Sequence, residues 1–376
     1  MKPVRYKTLG LTILLLLAGW ETTAGQTPRS HGRITTRIQY YRWTVKDSLG
    51  NGTLSQATVP INGLLAPNAN SEVRFSLTGS TNRYDSPRGE PLTLDGIGDV
   101  RVQGTRMFRD RGLVLSGGIN FPTGKRQLNY QADTTIVNLL SRNYLFFPQR
   151  RFGRGWGFNG LLGVAHVVGY SRLSAGFMFE YAGKYSPYET LKEYDPGEVF
   201  SLSFSFDWQH GRLILFADLL GSAFSWDKYD GEDAIKQSPQ LTIRVGGVRR
   251  IGNNETGVSM RAVFRGNHQL ATSDSTAIET KLYGNELHVT GYFRHNYSGG
   301  LHIAPTFEIR FVDGNSAEND LAQGESLLFG VGSGIGQRLS DQLQLVLDGR
   351  YFFGKADSDN LDLAGFQVTA SLTSTF

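Results

Sequence analysis

Apolar side chains that recur at every second residue, stretch after stretch, limit what this chain can fold into more than any other feature. Over 200–208, Phe200, Leu202, Phe204, Phe206 and Trp208 share one face, while Ser201, Ser203, Ser205 and Asp207 share the other. In 301–311, Leu301, Ile303, Phe307, Ile309 and Phe311 oppose His302, Thr306, Glu308 and Arg310. In 173–181 the pattern holds again, with Met178 the one apolar residue on the polar face. A period of two belongs to a strand with one apolar and one polar side. Tight turns punctuate the chain at 109–112, 168–171, 209–211, 252–254, 298–300 and 340–341. Long polar connections fall between them, at 84–96, 123–155, 185–197, 227–238, 267–284, 313–325 and 355–361. Short turns on one side and long loops on the other are what a transmembrane barrel carries at its two ends.

Strands between these marks lie near 33–45, 54–66, 71–83, 97–109, 113–122, 156–168, 172–184, 198–209, 212–225, 239–250, 256–267, 284–296, 301–313, 325–337, 342–355 and 362–376. The expected fold is all-β, a transmembrane antiparallel up-and-down β-barrel of about 16 strands. Because the first three strands alternate less cleanly, about 14 is the alternative. An even count places both chain ends on the short-turn side. One segment departs from the pattern: in 134–144, Ile136, Val137, Leu139 and Leu140 fall at helical spacing, with Asp133 or Thr134 as the cap. The reading is a short helix in the long extracellular loop 123–155, packed on the rim in preference to serving as a lid.

The two ends of the chain fix its destination. Lys2, Arg5 and Lys7 precede the apolar run Leu9–Ala18, and Thr22, Thr23 and Ala24 follow as small residues. That order predicts a cleaved signal peptide over 1–25 and a mature barrel over 26–376. The apolar run is shorter than the roughly 20 residues a spanning helix needs. At the other end, Phe366, Val368, Ala370, Leu372 and Phe376 share a face broken only by Ser374, opposite Gln367, Thr369, Ser371, Thr373 and Thr375. A last strand ending on the aromatic Phe376 resembles the signature that the outer-membrane assembly machinery recognises. The expected location is the outer membrane of a double-membraned bacterium, with the lipid bilayer as the barrel's partner.

Composition excludes other classes. There is no cysteine, hence no lipid-anchored cysteine, disulfide framework or thiolate zinc site. Mean hydropathy is −0.27, and no later stretch is apolar enough for a spanning helix. Setting aside Lys2, Arg5, Lys7 and Glu21 leaves 35 cations against 33 anions, without the concentrated basic patch that nucleic-acid binding requires.

Strand parity assigns Arg74, Arg101, Glu180, Asp207, Asp218, Arg244, Arg261, Arg265, His288, Arg294, His302, Glu308, Arg310, Asp348 and Arg350 to the lumen. Against lipid an Arg at the midplane would cost about 2–4 kcal/mol. The set leans cationic, which predicts a mild preference for anionic solutes. Pairing about 298–300 brings Arg294 near His302, and His288 near Glu308 and Arg310, as a salt-bridged wall and not a metal site, since arginines share the patch. Gly330, Gly332, Gly334 and Gly336 share one face, for an inward loop or for curvature. Tyr40, Trp43, Trp156, Tyr181, Trp208, Tyr292 and Tyr351 are the expected interfacial girdles.

The stretch 94–128, LDGIGDVRVQGTRMFRDRGLVLSGGINFPTGKRQL, resembles a hairpin of the MetA-pathway phenol-degradation transporter-like family of outer-membrane barrels. Gly96, Gly98 and Asp99 open one strand, and Pro122, Thr123 and Gly124 follow the next. The layout of 152–185 fits the same family. The resemblance implies kinship with the fatty-acid and aromatic-hydrocarbon channels, although the long N-terminal plug and the Asn-Pro-Ala signature of those channels are missing here. It implies a channel for passive uptake of small solutes, aromatic or amphipathic ones among them. The alternatives are a membrane-embedded hydrolase and a structural or adhesive barrel. The seven histidines, at 31, 166, 210, 268, 288, 295 and 302, form no hydrolase or zinc-protease motif, so neither an enzyme nor a cofactor is expected.

Overall fold

Strand β1 (His31–Asp47) pairs on one side with β2 (Gly50–Asn68) and on the other with the last strand, β16 (Leu361–Thr375). That closure leaves the sheet no free edge, as a lipid environment without water demands. The computed structural model describes residues 31–376 apart from 48–49, 88, 126, 189–192, 273–276, 316–323 and 358–359. The expected signal segment lies outside the described residues.

The remaining strands follow in antiparallel order: β3 (Ser71–Asp85), β4 in two pieces (Leu92–Ile97 and Val100–Phe108), β5 (Leu113–Phe121), β6 (Gly157–Val168), β7 (Ser171–Ala182) and β8 (Val199–His210). Then come β9 (Leu213–Phe224), β10 (Gln240–Ile251), β11 (Asn254–Arg265), β12 (Glu286–Asn296), β13 (Leu301–Val312), β14 (Ser326–Arg338) and β15 (Leu343–Ala356). Each pairs with its predecessor, so the barrel has sixteen strands and the alternative of fourteen falls away. Both described chain ends sit on the short-turn side. The Gly32 N–H donates to the Phe376 carbonyl (2.7 Å) and the Phe376 N–H to that of Gly32 (3.0 Å), while the Phe376 ring covers the bare Gly32.

Apolar side chains such as Ile38, Phe75, Leu162, Phe204, Phe307 and Leu347 cover the outside. A closed barrel with an apolar exterior is a membrane-spanning barrel of the outer membrane. The wall is uneven. β1 and β2 run 17 and 19 residues, against 12 in β6 to β11. A bilayer takes about 9–11. The long-loop ends of the first strands therefore stand clear of the lipid.

Two expectations about the loops are corrected. Within 84–96, expected as a connection, Leu92–Ile97 is already a strand paired with β3. The segments 185–197, 227–238 and 267–284 are not plain loops either. They contribute Tyr194–Asp195, Trp226–Tyr229, Glu232–Lys236, His268–Ala271 and Ala277–Thr280 to a second, five-stranded sheet at the extracellular mouth. Both were missed because the strands are short and their alternation spans only two to six residues.

β4 changes phase at its break. β3 pairs Gly79 with Ile97 and Ser76 with Arg101, so two residues of β3 face three of β4. An extra residue in one strand turns everything beyond it to the other face. Leu94 above the break and Arg101 below it therefore both point inward, despite opposite parity.

Candidate functional site

The segment between β5 and β6 folds into the barrel, not onto its rim as expected. Its neck is built on Asp99, the residue at the break in β4. One carboxylate oxygen accepts the Gly124 N–H (2.8 Å), and the other accepts the Arg154 N–H (2.7 Å) and the Asn120 amide (2.9 Å). One side chain thus holds both ends of the loop. Thr123 Oγ1 accepts the Val100 N–H at 2.9 Å. The Lys125 N–H donates to Ile97 (3.1 Å), and the Gly153 N–H donates to Lys125 (2.8 Å). A side chain at Gly96 would strike the Phe152 ring, and one at Gly124 would meet Asp99 and Gly153. The residues that carried the family resemblance are therefore the neck of this loop, with Pro122 inside it.

Beyond the neck lies helix α1 (Tyr130–Ser141), four residues earlier than its spacing predicted. Neither Asp133 nor Thr134 is its first residue. Asp133 reaches back to the Asn129 N–H (3.0 Å) and meets Lys125 Nζ (3.3 Å), in the manner of a capping box. Ile136 and Leu140 are wholly buried, and with Tyr144, Leu145, Phe147 and Phe152 they pack on Trp43, Leu54, Leu94, Leu328, Phe352 and Leu363 of the inner wall. Trp43, expected in a girdle, is 1% exposed and stacks on Phe352 at 5.5 Å. Truncating a buried Trp costs about 3–5 kcal/mol. Trp43→Ala should therefore loosen the loop and open it to protease added to intact cells, read as new cleavage within 130–151. An uncut loop would show that this stacking does not hold it. Beside the apolar seat, the Gln56 amide donates to Asn82 (2.6 Å) and to the Gln149 carbonyl (2.7 Å), and the Gln149 N–H returns a bond to Gln56 (3.2 Å).

The tip of the loop meets an ionic cluster on the opposite side of the seat. Glu308 is ion-paired to Arg310, lies 2.7 Å from His288 Nε2, and accepts from Arg350 at 3.1 Å. Arg350 also meets Asp348 at 3.1 Å. Phe146 lies 4.2 Å from the Arg310 guanidinium on one side, and Phe352 lies 4.4 Å from it on the other. The arginine is thereby clasped between loop and wall by two cation–π contacts.

By register the lumenal candidates of β9 to β15 share one face, and only some of the candidates are joined. His288, Glu308, Arg310, Asp348 and Arg350 form the cluster. Arg265 pairs with Glu286 (2.9 Å), Arg74 with Glu72 (2.7 Å), Glu180 with Arg154 (3.6 Å) and Asp207 with Arg172 (2.6 Å). Asp218, Arg244 and Arg261 stand in register across β9, β10 and β11. Arg294 bonds Glu255 (3.4 Å) and not His302, whose direct partner across the turn is Asn296. Tyr292, expected in a girdle, shares the inward parity of His288 and donates to Glu255 at 2.8 Å. Tyr40, Trp156 and Tyr351 are exposed on the outside, in line with their expected place. Along β14, bare Gly330, Gly332 and Gly336 lie beneath Phe352, Arg350 and His302, so these glycines accommodate flattened side chains, not an inward loop.

Two cavities within the barrel share Asn62, Ser76 and Arg101 as lining. One, of about 550 Å³, lies under the loop and is lined by Asn62, Ser76, Arg101, Gln149, Arg150, Arg151 and Arg154. The other, of about 480 Å³, continues along Asn62, Ser76 and Arg101 to Arg74, Arg37 and Arg33. Sequence reasoning missed Arg33 and Arg37, although they share Trp43's inward parity. It could not have placed Arg150, Arg151 and Arg154, which belong to the loop. Among the described residues, no carboxylate lies within salt-bridge distance of Arg33, Arg37, Arg101, Arg151, Arg244 or Arg261. No group of three His, Asp or Glu among the described residues could hold a metal ion. At the mouth, Tyr185, Tyr194 and Tyr229 pack ring to ring at 5.5 and 5.0 Å. Burial, and the bond to Asp227, hold the Tyr194 hydroxyl well above its ordinary pKa, so it is a neutral donor.

No family model matches the chain, and no curated protein does. Solved structures resemble it in architecture. A loop-deletion mutant of OmpT, an outer membrane protein of Vibrio cholerae, is 13% identical over 93% of this chain and 99% of its own, with a TM-score of 0.41. OpdL of Pseudomonas aeruginosa is 12% identical over 92% and 99%, with a TM-score of 0.45. OccK2 (OpdF) of Pseudomonas aeruginosa, solved with glucuronate, is 9% identical over 92% and 98%, with a TM-score of 0.47.

Proposed function

We propose that the chain is a passive outer-membrane channel for small organic anions, narrowed by the loop that hangs from Asp99. The observation that carries this reading is the imbalance within the lumen. Seven of its carboxylates, Glu72, Glu180, Asp207, Glu255, Glu286, Glu308 and Asp348, are each engaged by arginine, and Asp218 stands in register with Arg244. Among the described residues, Asp99, the one carboxylate lining the upper chamber, is held by N–H donors of the neck, while Arg101 and Arg151 beside it, and Arg33 and Arg37 below, have no carboxylate within salt-bridge distance. A passage lined by one sign of fixed charge concentrates the opposite ion. The guanidinium fork suits a carboxylate or phosphate over a halide. The resemblance to the phenol-degradation transporter-like barrels would narrow the cargo to anions with an aromatic or apolar body, and the tyrosine rings at the mouth support that narrowing.

In planar bilayers under a salt gradient, the wild type should show a reversal potential on the anion side. Arg101→Glu combined with Arg151→Glu should move it toward or past zero. A cation-selective wild type would overturn the reading. Benzoate entering liposomes faster than an uncharged solute of equal size would support the narrower cargo.

A further inference from the structure

We infer that the outside of the barrel carries a binding site for one anionic phospholipid of the periplasmic leaflet, its phosphate held by Arg111 and His166. A groove of about 630 Å³ crosses the lipid face of β6 to β10. It exists because Ala175 and Ala217 are small where their neighbours are large. Val164, Leu173, Phe204, Phe206 and Leu219 stand around them, all exposed to the membrane. Register shows one continuous surface: Val164 faces Ala175, Ala175 faces Phe204, and Phe204 faces Leu219, while His166, Leu173, Phe206 and Ala217 form the adjoining row. An acyl chain fits such a trough, because lipid tails gain by contact with shaped apolar surface.

One end of the groove is polar. Arg111, in the turn between β4 and β5, and His166, two residues before the end of β6, both line it. They lie on the short-turn side, level with headgroups of the periplasmic leaflet. Several other cations of this rim have partners: Arg172 pairs with Asp207, Arg250 with Glu255, Arg109 donates to the Ala69 carbonyl and Arg106 to Ser71. Asp218 is the one carboxylate residue among the groove's described walls, but it stands between the outward Ala217 and Leu219 and in register with Arg244, so its carboxyl belongs to the lumenal face; Asp110 of the same turn as Arg111 is not among the walls. Two donors at the foot of an apolar trough, without an acid to neutralise them, complement a phosphodiester and disfavour a headgroup ammonium.

The test is lipid retention by the folded barrel in native mass spectrometry. Protein stripped of lipid in detergent is titrated with phosphatidylglycerol, phosphatidylethanolamine or phosphatidylcholine of the same chains. The wild type should retain phosphatidylglycerol over the others by about fivefold, the gain expected of a basic residue at an anionic headgroup. Arg111→Gln with His166→Gln should abolish that preference. Arg249→Gln, an outward rim arginine away from the groove, should leave it intact. Ala217→Phe, which fills the trough, should lower retention of all three lipids, and folding of every variant is checked by heat-modifiable gel mobility. Equal retention of the three lipids by the wild type would overturn the site. So would a preference that survives both the double variant and Ala217→Phe.

Discussion

Excising 126–151 and bridging Lys125 to Phe152 with a short glycine-serine link should raise single-channel conductance severalfold while the barrel still folds. Sixteen strands enclose a bore wide enough for water, so what limits current is whatever occupies it. That occupant is the inward loop, whose helix and tip cover the inner faces of β1 to β4 and β13 to β16. The cut ends already meet through the Gly153 N–H to Lys125 bond at 2.8 Å, so the bridge strains nothing. The wall itself stays hydrogen-bonded strand to strand without the loop. Planar-bilayer recording measures the effect, and heat-modifiable mobility reports folding. A folded variant with unchanged conductance would mean that the narrowest point lies elsewhere, in the arginine-lined lower chamber.

The second large effect is expected at Glu308. Glu308→Gln removes the one anion that Arg310, Arg350 and His288 share. Glu308 is 3% exposed and Arg310 8%, so the orphaned charges cannot turn to water in place. Breaking a buried pair from one side costs about 3–5 kcal/mol. Asp207→Asn, which removes a pair with Arg172 that is 37% and 62% exposed, should cost about 0–1 kcal/mol. Urea unfolding in lipid bilayers compares the two. The Glu308 variant should also release the loop tip, because the Phe146 ring rests on an arginine that no longer has its carboxylate. Similar losses at the two positions would show that the cluster is wetter than its burial implies.

The barrel could be read from the sequence because alternation is a local property: each strand declares its inner face without knowing its neighbours. The long runs in β8 and β13 gave their registers away, and the turn at 298–300 put His288 opposite Arg310, as the structure has it. What could not be read depends on atoms distant in sequence. Ile136 and Leu140 showed a helix, but nothing local says that its apolar stripe meets Trp43 and Leu363 inside a barrel. Trp43 looked like a girdle residue because an aromatic near a strand end suits either role. Tyr292 was misassigned against its own parity, which already matched that of His288. Glu255, the partner of Arg294, stands on the preceding strand, and only the β11–β12 register joins them. The role of Asp99 is least local of all, since it ties Gly124 to Arg154 across the whole of the intervening loop.

The height of the first strands has a consequence for assembly. Oil-like surfaces associate strongly only where water would otherwise wet them, and hydrocarbon gives them no such reason to meet. Trp43, Leu54 and Leu363 sit on the interior side, at the raised extremity of the cylinder, where the alternative to α1 is solvent. Insertion of the cylinder and stoppering of its mouth are therefore driven by separate forces, and the stopper can seat itself after the walls have closed.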